Sequence, residues 1–472
     1  MKFRIQTQEE KIFQLLAQVA KELNYPSFVI GGYVRDRILG RSSKDIDIVC
    51  VGSGIELAQR LASLLNPRPK VVVYKRFGTA MLRYGNLELE FVGARKESYR
   101  KESRKPTVEN GTLEDDQNRR DFTINALAVS LNEENYGEIV DPFGGLMHLR
   151  DGIIKTPLAP KQTFCDDPLR MMRAIRLATQ LNFKMTRETF QAIREQRERI
   201  KIISQERITT ELQKIVATKK PSYGFKLLFD TGLLELIFPE LYAMHGVEER
   251  EGQRHKDNFY HTLQVLDNTA SKSNNIWFRW VAILHDIAKP LTKRFEKGQG
   301  WTFYGHEVLG AKMIPRILRK LRLPLGKEMK YIQKLVAMHQ RPILLTKEKS
   351  SDSALRRLLF EAGDEIEDLL LFCECDSTSK FQYKRERYLQ NIEQLRQKLK
   401  ALEKKDNLRK WQPPISGEEI MKTFGLPPSR KVGVIKNAIR EAILDGALPN
   451  NYQDAYQFML KKGKELNLRV VG

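Results

Sequence analysis

Gly31-Gly32-Tyr33-Val34-Arg35-Asp36 is followed nine residues later by Asp45-Ile46-Asp47. Two acids spaced by one residue share a face if the segment is a strand, because side chains alternate with period two. Asp45 and Asp47 would then point together, while Ile46 and Ile48 point into a core. The glycine pair sits between an apolar run, Phe28-Val29-Ile30, and a helix-like segment. That order makes an open backbone turn and a helix N-terminus, which suits a phosphate. Paired carboxylates beside a phosphate cradle are what metal-assisted phosphoryl or nucleotidyl transfer requires.

A sheet must hold these acids in place. Val71-Val72-Val73, Ala80-Met81-Leu82 and Leu87-Glu88-Leu89-Glu90-Phe91-Val92 read as strands, the last by alternation. Glu90 becomes a third acid candidate on the same sheet, although an exposed strand glutamate fits the pattern equally well. The basic segment Arg95 to Lys105 and the polar stretch to Asn118 lack periodicity and read as a mobile loop. Beyond residue 150 strand signals fade and helical patterns dominate, as in Leu169 to Leu181 and Ile208 to Val216.

Two further segments belong with the acids. In Arg119-Arg120-Asp121-Phe122-Thr123-Ile124-Asn125-Ala126-Leu127 the guanidinium forks match triphosphate oxygens. The alternative is a solvated turn with Asp121 capping a helix. In Asp166-Asp167-Pro168-Leu169-Arg170-Met171-Met172-Arg173-Ala174-Ile175-Arg176, Pro168 suits a first helical position. Arg170, Arg173 and Arg176 recur at i, i+3, i+6, with Leu169, Met172 and Ile175 as a core stripe. Plain N-capping is the competing role for Asp167.

GGYVRD, DID, RRDFTINALA and DPLRMMRAIR, in this order, resemble the class II tRNA nucleotidyltransferases, the bacterial CCA-adding enzymes and their poly(A) polymerase relatives. The similarity is greatest to CCA-adding enzymes with an attached HD domain. It implies an α+β fold: a nucleotidyltransferase head with a mixed β-sheet and helices (1–150), then an all-α neck bearing base recognition (151–245), an HD body (246–380) and a basic, tRNA-binding tail (381–472). It implies Asp45 and Asp47 as magnesium ligands with Glu90 as the third catalytic acid. Gly31, Gly32, Arg35, Arg120, Asp121, Asn125, Arg173 and Arg176 would belong to the nucleotide site. Asp167 and Arg170 would read the incoming base, although Asp166-Asp167-Pro168 stands where Glu-Asp-Ala is frequent in the family. The implied reaction is in-line attack of the tRNA 3′ hydroxyl on the α-phosphorus of CTP or ATP.

The reading pair has its own chemical logic. Cytosine and adenine each present an amine donor beside a ring-nitrogen acceptor. A carboxylate accepts from the first and a guanidinium donates to the second. Uracil and guanine reverse both positions, so the pair selects C and A without a template.

Of seven histidines, four fall in an ordered set with two aspartates: His261, His285-Asp286, His306, His339 and Asp376. Imidazole and carboxylate together bind divalent metals and activate water. The set resembles an HD phosphohydrolase domain. That resemblance implies phosphatase or 2′,3′-cyclic phosphodiesterase chemistry, or an inert scaffold, with manganese, nickel or cobalt as candidates for a second metal there. His148, His245 and His255 lie outside it.

The chain has 472 residues, more than one ordinary core needs, and a net charge of +22. That excess points to a polyanion, and nucleic acid fits best. No apolar run reaches the roughly 18 residues of a membrane span, and no signal segment opens the chain. A cytoplasmic protein with no membrane partner is expected; the sequence does not fix its oligomeric state. Four cysteines are too few for a disulfide framework, and Cys373-Glu374-Cys375 lacks the second pair of a zinc ribbon. Buried thiols are expected. Residues 380–410 hold eleven Lys/Arg against four Asp/Glu in a helical pattern, a surface for the RNA backbone. The rival functions are CC-only or A-only addition, poly(A) synthesis, and an HD phosphohydrolase whose head only binds RNA.

Overall fold

The structure is a computed structural model. It describes residues 2–471 except 4, 6, 101–102, 348–350, 380 and 407–411; residues 7–8, 77, 97–100, 103–108, 347 and 405–406 are described by backbone alone. The ends of the basic 380–410 segment, and two residues of the expected loop, therefore lie outside the described residues.

The chain divides into two compact units, Met1–Pro239 and Glu240–Gly472. The first holds a seven-stranded mixed sheet: β1 (Ser27–Ile30), β2 (Asp45–Cys50), β3 (Val71–Tyr74), β4 (Thr79–Tyr84), β5 (Leu87–Gly93), β8 (Ala128–Ser130) and β9 (Ile139–Val140). Their order is β3-β4-β5-β2-β1-β8-β9. Within this sheet, among the described residues, only β2 and β5 pair in parallel, in a register that sets Asp45 beside Glu88 and Asp47 beside Glu90. β1 is antiparallel to β2, with Ile30 opposite Asp47.

The alternation works as expected. Ile46, Ile48, Leu82, Leu89 and Phe91 are buried, and each is worth about 1.5–3 kcal/mol over exposure. The helix Gly54–Leu64 buries Leu57, Ala58, Leu61 and Ala62 and packs against β3, β4 and β5. It lies so near the sheet that a Cβ on Gly54 would meet the Val92 backbone at 2.9 Å. Helices Pro160–Asp166, Leu169–Leu181, Arg187–Gln196, Gln205–Val216, Pro221–Asp230 and Leu233–Ile237 follow in this unit.

The mobile loop expected over Arg95–Lys105 is instead an antiparallel ribbon, β6 (Arg95–Arg100) with β7 (Ser103–Asn110). The backbone ladder needs no apolar face, so charged residues hide it from any hydrophobic pattern. The polar stretch after it forms the helix Leu113–Asn118. Its start is a reciprocal cap in which Thr112 Oγ1 accepts from Asp115 N and Asp115 Oδ2 accepts from Thr112 N, at 3.2 and 2.9 Å. The pattern Thr-x-x-Asp is legible in sequence as a capping box.

The second unit is mainly helical, with two short antiparallel pairs, Glu249–Arg250 with Gln253–Arg254 and Arg294–Glu296 with Gly300–Thr302. A 25-residue helix, Gln382–Asp406, carries most of the basic segment. Beyond Pro413-Pro414, helices Gly417–Phe424, Arg430–Leu444 and Tyr452–Glu465 close around Ile420, Ile435, Ile439, Ala455 and Met459. Cys50, Cys373 and Cys375 are buried free thiols and Cys165 is half-buried. No helix among the described residues is long and apolar enough to cross a membrane.

Candidate active site and metal centre

Asp45 and Asp47 share one face of β2, and the parallel register brings Glu90 alongside Asp47. Burial raises the pKa of Asp47; Arg120 opposes this and Asp45 adds to it. Burial also raises Glu90, and Asp47 adds to that shift. These acids crowd negative charge that a divalent cation would relieve, so the residues present fit a metal.

Gly31 closes the turn before the helix Gly32–Ile38 with φ +88°. A Cβ there would meet Arg120 Nη1 at 2.8 Å and Asp47 Oδ2 at 3.1 Å. The glycine lets the Arg120 guanidinium and the Asp47 carboxylate approach the same backbone. Gly31→Ala is expected to cost about 1–3 kcal/mol of stability from backbone strain alone. Nucleotide incorporation should fall at least roughly tenfold because Arg120 and Asp47 are displaced. Thermal melts and single-turnover incorporation measure the two effects.

The arginines are held by acids, some a few residues away in sequence and others brought from elsewhere in the fold. Fully buried Asp116 pairs with both Arg119 and Arg120, the latter at 3.1 Å. Arg35 grips Asp36 with two bonds, at 2.9 and 2.8 Å, and donates to Asn125 Oδ1 at 2.6 Å. Asn125 in turn donates to Asp121 Oδ1 at 2.9 Å, and Arg173 donates to Asp121 Oδ2 at 2.6 Å. Burial works to raise the pKa of Asp121, but Arg173 and the Asn125 hydrogen bond outweigh it and hold it well below the usual range. Asp121 thus positions Asn125 and Arg173. Arg176 is bonded to Glu211 at 2.5 Å. The three-arginine row lacks carboxylates on its own helix because Asp121 and Glu211 supply them to Arg173 and Arg176.

Asp167 Oδ1 accepts from Leu169 N at 3.1 Å, so it does cap the helix, and its Oδ2 lies 3.6 Å from Arg207. Arg170 donates to the Arg119 carbonyl at 2.6 Å and lines a pocket of about 270 Å³ with Arg119, Asn118 and Asp166.

The second unit assembles all six residues of the histidine–aspartate set. His261 Nε2 lies 3.0 Å from Asp376 Oδ1 and 3.6 Å from Asp286 Oδ2. His285 Nε2 lies 3.1 Å from Asp286 Oδ2, and His306 Nε2 lies 3.3 Å from Asp286 Oδ1. His339 Nε2 is 3.3 Å from His306 Nε2. The opposite ring nitrogens are oriented by oxygens: Nδ1 of His285, His306 and His339 sits 2.7–2.8 Å from the carbonyls of Ala282, Phe303 and Val336, and His261 Nδ1 is 3.0 Å from Thr378 Oγ1. The carbonyls can only accept, so in the neutral rings of His285, His306 and His339 the proton sits on Nδ1 and the Nε2 lone pair is left for metal ligation.

His285 Nε2, Asp286 Oδ1 and Asp376 Oδ1 are buried without a hydrogen bond, whereas Asp286 Oδ2 is paired with an ammonium. Burial alone would lower the pKa of His285, yet Asp286 and Asp376 lift it to about 10. A divalent ion would answer the same field in place of a proton. Ligand atoms of His261, His285 and Asp286, and of Asp286, His306 and His339, lie close enough to share an ion, with Asp286 common to both groups. Lys289 Nζ also touches Asp286 Oδ2, at 2.6 Å.

Residues 27–155 match the family model described as the poly A polymerase head domain. Residues 182–244 match a probable RNA and SrmB-binding site of polymerase A, and 258–379 match the HD domain. The chain is 31% identical over 392 residues to an A-adding tRNA nucleotidyltransferase of Halalkalibacterium halodurans, covering 78% of this chain and 88% of that one. It is 30% identical over 451 residues to a CCA-adding enzyme of a Geobacillus species, covering 95% and 96%. The chain belongs to the tRNA nucleotidyltransferase/poly(A) polymerase family. The Bacillus stearothermophilus CCA-adding enzyme in complex with CTP shares the fold, with a TM-score of 0.65 over 98% of this chain and 99% of that one at 22% identity.

Family membership implies a nucleotidyltransferase that uses a divalent metal. Sequence reasoning missed Asp36, Asp116, Arg207, Glu211 and Lys289. Asp116 could have been found, since it precedes Arg119 and Arg120 by three and four residues. The partners Arg207 and Glu211 stand on another helix and leave no local signal.

Proposed function

We propose that this protein extends the 3′ end of tRNA with C, C and A, taken from CTP and ATP without a template. The observation that carries this reading is the Asp45–Asp47 face with Glu90 alongside, set against the Gly31 turn and Arg120. Asp45, Asp47 and Glu90 would hold magnesium, which when bound polarises the α-phosphate and lowers the pKa of the attacking hydroxyl. Arg120, fixed by Asp116, offsets phosphate charge beside Asp47. The tRNA 3′ oxygen bonds to the α-phosphorus as the bond to pyrophosphate breaks. Asp167 and Arg170 select the base, and Gly32, Arg35, Arg173 and Arg176 complete the nucleotide site.

The head, neck, HD body and tail divide these tasks, with the helix Gln382–Asp406 and the three helices after it as the RNA platform. The cytoplasm is the proposed location. Incubating tRNAs ending at the discriminator base, at C or at CC with each nucleoside triphosphate alone tests the assignment. C should be added to the first two and A only to the third. A-only addition is the second reading, favoured by the name of the Halalkalibacterium relative. It would give product solely from the CC-ended tRNA with ATP, whereas long A tracts would mark a poly(A) polymerase.

The histidine–aspartate cluster is proposed to be a metal-dependent phosphohydrolase. Purified protein should hydrolyse 2′,3′-cyclic AMP with one of magnesium, manganese, nickel or cobalt. His285→Ala should lose at least roughly 100-fold of that rate, as expected when a ligand of a water-activating ion is removed. No hydrolysis with any of the four metals would leave the cluster a scaffold.

A further inference from the structure

The two edges of the seven-stranded sheet are finished differently. Beside β9, Lys2 and Phe3 cover the approach: Lys2 bridges Glu138, and Phe3 N donates to the Gly137 carbonyl at 2.8 Å. At the other end β3 pairs with β4 alone, and among the described residues no backbone hydrogen bond leaves Val71–Tyr74 on its outer side. Alternate residues of such an edge turn N–H and C=O groups outward, ready to template another strand. Val-Val-Val-Tyr also has high strand propensity. We propose that β3 is a docking edge for an extended, acidic segment of a partner protein, which joins the sheet as an additional strand.

Charge selects the occupant. From Leu57 to Leu87 the chain carries six cations and no acid. Two of the six are spent within the fold, Arg60 on Glu22 and Arg83 on Glu88. The other four, Arg68, Lys70, Lys75 and Arg76, are exposed and have no acid partner among the described residues. They bracket β3, two before it and two after it. A second copy of this chain, paired edge to edge, would set these cations against their own equivalents, so self-association is opposed. A strand with acids at its ends is drawn in instead. Single-stranded RNA answers the same charge, but phosphate oxygens only accept and cannot use the outward C=O groups, whereas a peptide strand uses both halves of the edge. The side chains narrow the fit further. Val72 and Tyr74 share one face and are 37% and 45% exposed, while Val71 and Val73 are half-buried. The segment that fits has apolar residues two apart, to pack on Val72 and Tyr74, between terminal aspartates or glutamates. With β4 and β5 lying between β3 and β2, the docked strand sits roughly 19 Å from β2 and leaves the acid face of Asp45 and Asp47 open.

Fluorescence anisotropy with the full-length protein tests this. The probe is a fluorescein-labelled nonapeptide with a core of alternating threonine and valine and two acids at each end. It should bind saturably, and the same core with lysines at its ends should not. In the Lys70→Gln/Lys75→Gln/Arg76→Gln variant, affinity should fall at least tenfold, about what three exposed ion pairs supply together, with the thermal midpoint unchanged. The ladder is tested on the peptide, with no change to the protein. Methylating every second core amide nitrogen gives two alternate sets; one should abolish binding and the other leave it intact, because only one side of the added strand faces β3. An acidic probe that does not bind overturns the proposal. So does binding that ignores the three cations, or that both methylated sets leave unchanged. If a uridylate hexamer loses tenfold in the triple variant while the peptide fails to bind, the surface belongs to RNA and the peptide edge falls.

Discussion

Asp47→Asn should reduce nucleotide incorporation by roughly three powers of ten, about 4 kcal/mol of transition-state stabilisation. The substitution removes charge and keeps shape. Asp47 stands beside Glu90 in the parallel register and next to Asp45 on its own strand, so it faces both other acids of the proposed metal site. Its raised pKa reflects burial first and then the balance between Arg120 and Asp45. Losing one negative charge there weakens ion binding and removes the charge that Arg120 opposes across the glycine turn. The fold should survive, because Ile46 and Ile48 hold the other face of the strand. Circular dichroism and thermal melts check that. Incorporation rates at saturating tRNA, with magnesium varied over a hundredfold range, check the rest. A wild-type rate in Asp47→Asn would remove this face from the chemistry.

The second large effect concerns which base enters. Asp167→Asn should relax the preference for C and A over U and G by roughly two to three powers of ten, since sites built on buried hydrogen bonds discriminate by up to about 10⁴–10⁵. The asparagine is the informative change because Asp167 has a structural task as well: its Oδ1 caps the helix Leu169–Leu181 at Leu169 N. Asparagine caps as well as aspartate. It keeps an acceptor for the cap, but its amide can also donate, so U and G gain a partner. Misincorporation of UTP and GTP on CC-ended tRNA, measured beside the melting temperature, separates reading from capping. If selectivity stays at the wild-type level while Asp167→Ala merely melts earlier, Asp167 is a cap and nothing more. Arg207, 3.6 Å from Asp167 Oδ2, restrains the carboxylate. Arg170 is restrained in turn by the Arg119 carbonyl, so an incoming base has to compete with partners already in place.

Much of the site was legible because its spacing follows the period of the element that carries it. Asp45 and Asp47 needed only a strand, and Glu90 needed only alternation. The register placing Glu90 beside Asp47 was not legible, since pairing between strands forty residues apart leaves no mark in either one. The histidine–aspartate set was found by residue type and order, whereas the convergence of His261, His285, His306 and His339 on Asp286 and Asp376 comes from packing of five separate helices and their ends. The ribbon Arg95–Asn110 was misread as a loop because its backbone ladder is indifferent to side-chain polarity. The arginine row of the helix Leu169–Leu181 was legible in its spacing, but the acids that hold Arg173 and Arg176, Asp121 and Glu211, lie at sequence distances that hide them.

The chain of bonds Asp36–Arg35–Asn125–Asp121–Arg173 ties the glycine turn to the helix Leu169–Leu181 through buried groups. Cutting the polypeptide after residue 150 would strip Arg173 from Asp121 and strand an ionised carboxylate in the interior. Any fragment that keeps this turn intact therefore reaches past Arg173, and an attempt to graft the sheet onto another protein must bring the helix Leu169–Leu181 with it.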